Sequence, residues 1–225
     1  LIYQPQGAAG EYAKWAINLY HGCSNGCTYC YNRRGVLSHV FGDKPELAAP
    51  IIRKRDKLLN EYLEKNNMTA HDAIKKGVVD HKGLMATLDI ISKDLEKIGI
   101  DRIRQDGGIF FSFTCDPFDI DADMFILQQV VLHLLFDRIP VTILTKNVHW
   151  LQTGLWKSTL RDLTTDYKDI ARLLTIGFTI TGKDKLEQFQ FHKGTIRTVF
   201  WVRTEGRYLV FQFHKGTIRT FLDSS

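Results

Sequence analysis

The chain has 225 residues, of which 44% are hydrophobic, so it is long enough to bury a core as one domain. Its four cysteines are too few for a disulfide scaffold, and no apolar run approaches the roughly 20 residues that cross a bilayer. The formal net charge of +5 permits an anionic partner without requiring one.

Four segments are mostly apolar and rich in β-branched or aromatic residues, as buried parallel strands are: 16–20, 108–114, 141–145 and 173–181. Helical patterns occupy four further segments: 44–65, 83–99, 121–139 and 164–174. This alternation predicts an α/β fold with right-handed crossovers. The stretch 44–106 is long for one crossover, and we expect it to add a helical insertion before the second strand.

The C-terminal segment, 189–225, is built differently. FQFHKGTIRT occurs at 189–198 and again at 211–220, identical in all ten positions. Such identity is unlike a divergent structural repeat and is assigned no function. Between the two copies, VFWVRTEGRYLV predicts a β-hairpin that turns at Thr204–Gly206.

Three cysteines follow the first predicted strand as C-x3-C-x2-C: Cys23, Cys27 and Cys30. Residues 1–20 lack the basic start and apolar core of a secretory signal, so we expect a cytoplasmic, reducing compartment. Clustered cysteines there are more often metal ligands or catalytic groups than disulfides. Gly22 and Gly26 allow a tight loop that aims three sulfurs at one point.

Three thiolates suit an iron–sulfur cluster, whose ligands are normally cysteine sulfurs and whose fourth iron would stay open. Zinc is the alternative, but a structural zinc site needs four ligands. The fourth would have to come from one of three residues: His21, His39 or Cys115. The motif by itself leaves both metals open.

Tyr29 precedes the last cysteine of the motif, and this pattern resembles the signature of the radical S-adenosylmethionine enzymes. The wider sequence is similar to one branch of them, the spore photoproduct lyase-like proteins, often labelled DNA repair photolyases. IYQPQGAAGEYAKWAINLYHGCSNGCTYCYN resembles the opening of that branch. FSFTCDPF and VTILTKN resemble two of its strand ends, and LLTIGFTITGKDKLEQF resembles its fourth-strand segment. The resemblance spans residues 2 to about 189.

The resemblance implies a partial (β/α)6 TIM-like barrel over residues 1–188, with a 4Fe-4S cluster at the C-terminal mouth of its strands. It also implies bound S-adenosylmethionine, an electron donor such as a flavodoxin or ferredoxin, and a 5′-deoxyadenosyl radical. The branch label points to a lyase that repairs damaged DNA. The alternatives are radical modification of RNA, a peptide or a metabolite, and a zinc- or nucleic-acid-binding module without catalysis.

Residues near the ends of the predicted strands are candidates for cofactor binding, because ligands of α/β folds bind at that edge. Asp116 could hold a hydroxyl or ammonium group, or it could cap a turn. Lys146 resembles a family lysine that approaches S-adenosylmethionine, and a solvent-facing lysine is the alternative. Thr114 offers a hydroxyl at this edge. Thr179 falls where the branch usually has serine, and a β-branched strand residue that only fills space is the alternative. The resemblance adds Tyr29 as a cofactor contact.

Cys115 is a candidate catalytic residue, because the lyases carry a hydrogen-donating cysteine near this strand end. The family position matches Phe113 here, two residues earlier. In a regular strand Phe111, Phe113 and Cys115 would share one face, so we expect Cys115 to face the cavity only if Phe113 does. A small buried apolar residue is the alternative role.

Overall fold

A computed structural model describes residues 1–27, 30–34, 41–147, 149–180, 197–200, 202–204, 207–214 and 217–222. Its helices are α1 (Tyr31–Arg34), α2 (Ala49–Asn66), α3 (Ala70–Lys75), α4 (Val78–Ile98), α5 (Ile100–Gln105), α6 (Met124–Phe136), α7 (Gly154–Asp166) and α8 (Lys168–Ala171). Short 3₁₀ helices cover Gly7–Glu11 and His149–Gln152. The strands are β1 (Ile2–Tyr3), β2 (Ala16–Ile17), β3 (Tyr20–His21), β4 (Glu46–Leu47), β5 (Ile109–Phe111), β6 (Val141–Thr145), β7 (Leu174–Ile180), β8 (Arg197–Phe200), β9 (Val202–Thr204), β10 (Arg207–His214) and β11 (Thr217–Leu222).

The central part of the main sheet is parallel. Strands β2, β5, β6 and β7 are parallel neighbours in that order. Antiparallel strands extend the sheet at both sides, β1 on β2 and β8 on β7. The predicted α/β class is therefore confirmed, with a mostly parallel central sheet and helices between its strands.

The strand predictions differ in accuracy along the chain. β6 has the predicted bounds. β7 begins one residue later than predicted and extends to Ile180, and residue 181 lies outside the described residues. β5 was predicted to reach residue 114 but ends at Phe111. The side chain of Asn18 explains part of this, since its Oδ1 accepts hydrogen bonds from the Phe113 N–H at 3.0 Å and from Ser112 Oγ at 3.1 Å. Asn18 thereby binds a main-chain donor just beyond the end of β5.

Helices fill most of the long connection between β2 and β5. α4 packs against both α2 and α6, and it buries Ile91 and Leu95 completely or nearly so. These side chains are four residues apart and lie on one helix face. α7 was not predicted, although Thr153 caps its start by accepting from the Trp156 N–H. In the described part of the chain, none of the helices combines the length and the apolarity that a membrane span needs.

The C-terminal strands continue the sheet in antiparallel fashion. The predicted hairpin pairing is confirmed, because β9 and β10 pair with Thr204 opposite Arg207, while residues 205–206 lie outside the described residues. The second FQFHKGTIRT copy forms the end of β10 and most of β11, which also pair antiparallel. Most of the first copy, up to residue 196, lies outside the described residues.

Two adjacent glycines before β5 give a matched test of how closely the sheet is packed. Both have positive φ, +95° at Gly107 and +91° at Gly108. A Cβ on Gly108 would lie 2.0 Å from the Pro140 carbonyl oxygen, whereas a Cβ on Gly107 would meet nothing within 4 Å. That carbonyl accepts the Ile109 N–H at the start of β5.

We expect both alanine substitutions to cost the strain of a positive φ, about 1–3 kcal/mol. Gly108→Ala should cost about 1–3 kcal/mol more, because it also forces β5 away from residue 140. Urea unfolding of the two variants measures the difference directly. Equal loss of unfolding free energy in both variants would contradict this packing.

Candidate metal and cofactor site

The carboxylate of Asp116 joins three separate segments of the chain. Its Oδ1 accepts from the Phe118 N–H at 3.0 Å and from Thr145 Oγ1 at 2.5 Å. Its Oδ2 accepts from the Lys146 N–H at 2.7 Å and from Asn25 Nδ2 at 3.0 Å. An ionised carboxylate has about four acceptor positions, so these donors occupy all of them.

Asp116 thus acts as a positioning residue in this structure. Its exposed fraction is 9%, and burial raises the pKa of its carboxyl group, while the four hydrogen bonds oppose that rise. The sequence suggested that Asp116 could hold a hydroxyl or ammonium group of a ligand. In the structure the protein itself supplies the donors. They are the Thr145 hydroxyl and the Lys146 N–H at the end of β6, and the side-chain amide of Asn25 in the cysteine loop (residues 22–30).

The loop after Asp116 is fixed in the core by aromatic stacking. The Phe118 ring stacks on Trp150 with centroids 4.2 Å apart and meets Trp156 edge-on at 4.8 Å. All three side chains are buried. Because aromatic burial of this kind is strongly favourable, it holds the Asp116 carboxylate at a fixed depth beneath the cysteine loop.

The cysteine loop begins with a tight backbone approach. β3 pairs with β4, and Gly22, directly after β3, has φ +85°. The Cys23 N–H donates to the Gly42 carbonyl at 3.2 Å. Ser24 then donates to Asp119 twice, from its N–H at 2.7 Å and from its Oγ at 2.6 Å. These contacts fix the first cysteine of the motif against the 116–119 loop.

α1 holds the other end of the cysteine loop. Cys30 immediately precedes this helix, and its N–H donates to the Cys27 carbonyl at 3.1 Å. Arg33 donates to the Cys23 carbonyl at 2.8 Å, and Asn32 donates to the Phe113 carbonyl at 2.9 Å. The helix therefore joins the end of the motif both to Cys23 at its start and to the segment that follows β5.

The three motif cysteines are free and partly exposed, and they do not all occupy the same surroundings. Cys27 Sγ accepts from Lys146 Nζ at 3.1 Å. Cys23 Sγ instead lies within 4.8 Å of Cys115 Sγ and of an Asp119 carboxylate oxygen. Cysteine sulfurs are the usual ligands of iron–sulfur clusters, so the donor set of the loop, three partly exposed thiols, fits a cluster in its chemistry.

The predicted cofactor residues are placed as follows. Lys146 faces the cysteine loop through its contact with Cys27, and its role towards S-adenosylmethionine stays a prediction. Thr114 Oγ1 donates to the Tyr20 carbonyl at 2.7 Å, which joins it to β3. Thr179 belongs to β7 and pairs with Thr198 of β8. It follows Phe178, the residue that pairs with Thr145. The Thr179 side chain and Tyr29 lie outside the described residues.

The predicted pleat through Cys115 is wrong, because β5 ends at Phe111. The Phe113 ring stacks on Phe110 with centroids 4.6 Å apart, so it does not continue the face of Phe111. Cys115 is 7% exposed and belongs to the hydrophobic core, with its Sγ beside that of Cys23. Its proposed hydrogen-donor role stays a prediction, and its burial agrees with the alternative structural role.

The two neighbouring thiols have opposite pKa shifts. The hydrogen bond from Cys115 lowers the pKa of Cys23, and partial burial opposes this effect. The same hydrogen bond and the burial of its own thiol raise the pKa of Cys115. Of the two thiols, Cys23, the more exposed, is therefore the one whose ionisation is favoured.

Several residues of the site were not singled out in the sequence: Ser24, Asn25, Asn32, Arg33, Asp119 and Thr145. Asp119 is completely buried and lies three residues after Asp116. The pair of acids in CDPFDID was a usable signal, because acids next to a proline and a buried aromatic residue favour turns with side-chain-to-backbone hydrogen bonds. Asn25, between two cysteines of the motif, was a similar signal.

Comparison with known proteins identifies no relative of this chain. It matches no protein-family model, no curated protein and no solved structure. The function proposed below rests on the motif, on the resemblance of its flanking segments, and on the contacts between them.

Two glycines of the cysteine loop provide a matched pair of variants. A Cβ on Gly22 would lie 2.1 Å from the Lys44 carbonyl oxygen, whereas the nearest atom to a Cβ on Gly26 is 4.0 Å away. Both glycines have positive φ. We expect Gly22→Ala to break the Cys23–Gly42 hydrogen bond and to lower metal loading strongly, and Gly26→Ala to cost only about 1–3 kcal/mol of strain. Unfolding free energy and bound metal per chain measure both effects.

Removal of the Asp116 carboxylate should destabilise the whole site. Asp116→Ala leaves four donors without this acceptor, and the bonds from the Phe118 N–H and Thr145 Oγ1 are fully buried. Each buried donor left unsatisfied costs about 1–3 kcal/mol, and the two partly buried donors add to the loss. We therefore expect a loss of more than about 3 kcal/mol in unfolding free energy. The exposed Asp121, on the same loop, is the control, and Asp121→Ala should change stability by less than about 0.5 kcal/mol. Similar losses in both variants would contradict the assigned role of Asp116.

Proposed function

We propose that the chain is a radical S-adenosylmethionine enzyme of the spore photoproduct lyase-like branch. The observation that carries the proposal is the 3.1 Å contact between Lys146 Nζ and Cys27 Sγ. These two residues are 119 positions apart in the chain. The resemblance assigns both of them to one cofactor site on separate motifs, so their contact supports that assignment.

Cys23, Cys27 and Cys30 would hold a 4Fe-4S cluster through their sulfurs, and the cluster would in turn bind S-adenosylmethionine. When bound, the two cofactors supply one-electron cleavage of the sulfonium and a 5′-deoxyadenosyl radical that abstracts hydrogen from substrate. The protein binds and orients them. Lys146 places its ammonium group beside Cys27 Sγ, and Asp116 fixes the backbone of Lys146 and the side chain of Asn25 in the loop.

We also propose that β2, β5, β6 and β7 belong to a partial (β/α)6 barrel of the radical S-adenosylmethionine type. The strand ends that carry Lys146 and the Asp116 loop would form its C-terminal mouth, where barrel enzymes bind their ligands. Damaged DNA is the proposed substrate, from the family resemblance. The net charge of +5 is compatible with an anionic partner of this kind.

The central test is anaerobic reconstitution of the full chain with iron and sulfide, followed by reduction in the presence of S-adenosylmethionine. We expect visible absorbance from bound iron–sulfur cluster and release of 5′-deoxyadenosine. Cys27→Ala should lose both, because an iron without its thiolate is exposed to water and lost. Cys115→Ala is the matched control for cluster content and should retain the visible absorbance.

Full cluster absorbance in Cys27→Ala would contradict the ligand assignment. A cluster that forms in the unmodified chain but releases no 5′-deoxyadenosine would contradict the radical function, while the cluster assignment would stand.

The substrate is tested separately with ultraviolet-irradiated and intact DNA. Faster release with irradiated DNA, together with a change in the damaged bases, is the expected result. Equal release with both DNA samples would contradict the repair substrate.

A further inference from the structure

Cys23, Cys115 and Asp119 form a second candidate metal site, which shares only Cys23 with the loop motif. One ligand atom from each residue lies within 4.8 Å of the other two. In the part of the chain that the structure describes, this is the one group of three histidine, cysteine or acidic side chains that meets this distance. Cys27 and Cys30 do not belong to it.

We propose that, in the protein without a cluster, these three side chains bind a single zinc ion. Zinc takes cysteine sulfur at about 2.3 Å and carboxylate oxygen at about 2.0–2.2 Å, so ligands of one ion must lie as close together as these three do. Two sulfurs in the set disfavour calcium and magnesium, which prefer oxygen ligands. Three protein ligands leave a fourth position for water.

The carboxylate is already oriented for this role. Its Oδ1 accepts from Ser24 Oγ at 2.6 Å and from the Asp121 N–H at 3.1 Å, and its Oδ2 accepts from the Ser24 N–H at 2.7 Å. These donors use three of about four acceptor positions and leave one on Oδ2. Such outer hydrogen bonds hold a metal-binding carboxylate in one orientation. Asp119 and Cys115 are both buried, which limits competition from solvent.

Binding of the ion requires both thiols to lose their protons, so each zinc ion bound releases two protons from Cys23 and Cys115. Cys23 is common to this site and to the proposed cluster. Zinc at the Cys23–Cys115–Asp119 site and a cluster on the loop motif therefore exclude each other. The zinc site itself does not depend on the proposed cluster, because two of its ligands lie outside the loop motif.

Cobalt(II) is the probe, because tetrahedral thiolate coordination gives it intense visible bands and a sulfur-to-metal charge-transfer band in the near ultraviolet. The full chain, freed of metal by a chelator and kept reduced by a phosphine, is titrated with cobalt and then with zinc. We expect one cobalt per chain with both kinds of band, and displacement by zinc. A cobalt spectrum without thiolate bands would overturn the proposal.

The variants separate this site from the loop motif. Cys115→Ala and Asp119→Asn should each weaken zinc binding by more than about 100-fold, since loss of even an outer partner costs about 10–100-fold. Cys27→Ala should leave zinc binding unchanged while abolishing cluster formation. Loss of zinc binding in Cys27→Ala, or its retention in Cys115→Ala, would overturn the proposal.

Circular dichroism of each variant checks that the chain is folded, and Asp119→Asn keeps the volume of the side chain in case the Cys115→Ala protein does not fold.

The proposed radical function and the proposed zinc site fail in different ways. If no cluster forms in the unmodified chain but zinc binds as expected, the radical function fails and the zinc site stands. If the cluster forms and Cys115→Ala binds zinc normally, the zinc site fails and the cluster assignment stands.

Discussion

The arrangement of the site depends on one buried carboxylate with four hydrogen-bond donors. A buried charge is costly unless it is fully hydrogen-bonded, and Asp116 meets that condition only if the cysteine loop, the end of β6 and its own loop are all in place. The same four bonds therefore specify where the loop lies relative to the sheet. The Phe118–Trp150 stack sets the depth of the carboxylate, and the side chain of Asn25 reaches it from between the cysteines.

Asp119, three residues further along the same loop, has a related role. It binds Ser24, next to the first cysteine, while Asp116 binds Asn25. Two acids on one short loop thus hold two consecutive residues of the cysteine loop. This double attachment brings Cys23 to Cys115, and it brings Cys27 to Lys146. The proposed cluster and the proposed zinc site are alternative uses of the same attachment, because both need Cys23.

Local patterns predicted much of the fold. The apolar, β-branched run at β6 gave its bounds correctly, and the parallel order of the central strands agrees with the alternation of strands and helices. The end of β5 could not be read from its own residues, since the Asn18 side chain that binds the Phe113 N–H is 95 positions away. α7 was missed although Trp156, Thr159 and Leu163 have helical spacing and are buried, so a signal was present there.

The site was predictable to a similar extent. The three-cysteine spacing and the position of Lys146 after a strand are local features of the sequence. In the structure Lys146 Nζ contacts Cys27 Sγ. The contact between Cys23 and Cys115 depends on tertiary structure. The regular strand expected through Phe113 did not predict this contact. Asp116 was recognised as a candidate, but its saturation by protein donors depends on three segments meeting.

Amide hydrogen exchange tests the central claim, that the Asp116 carboxylate holds the cysteine loop and the end of β6 together. The Lys146 and Phe118 amides lie outside the strands and donate to this carboxylate. We predict that both are strongly protected from exchange, in contrast to the amide of the exposed loop residue Ile120. Exchange of the Lys146 and Phe118 amides as fast as that of Ile120 would contradict the account.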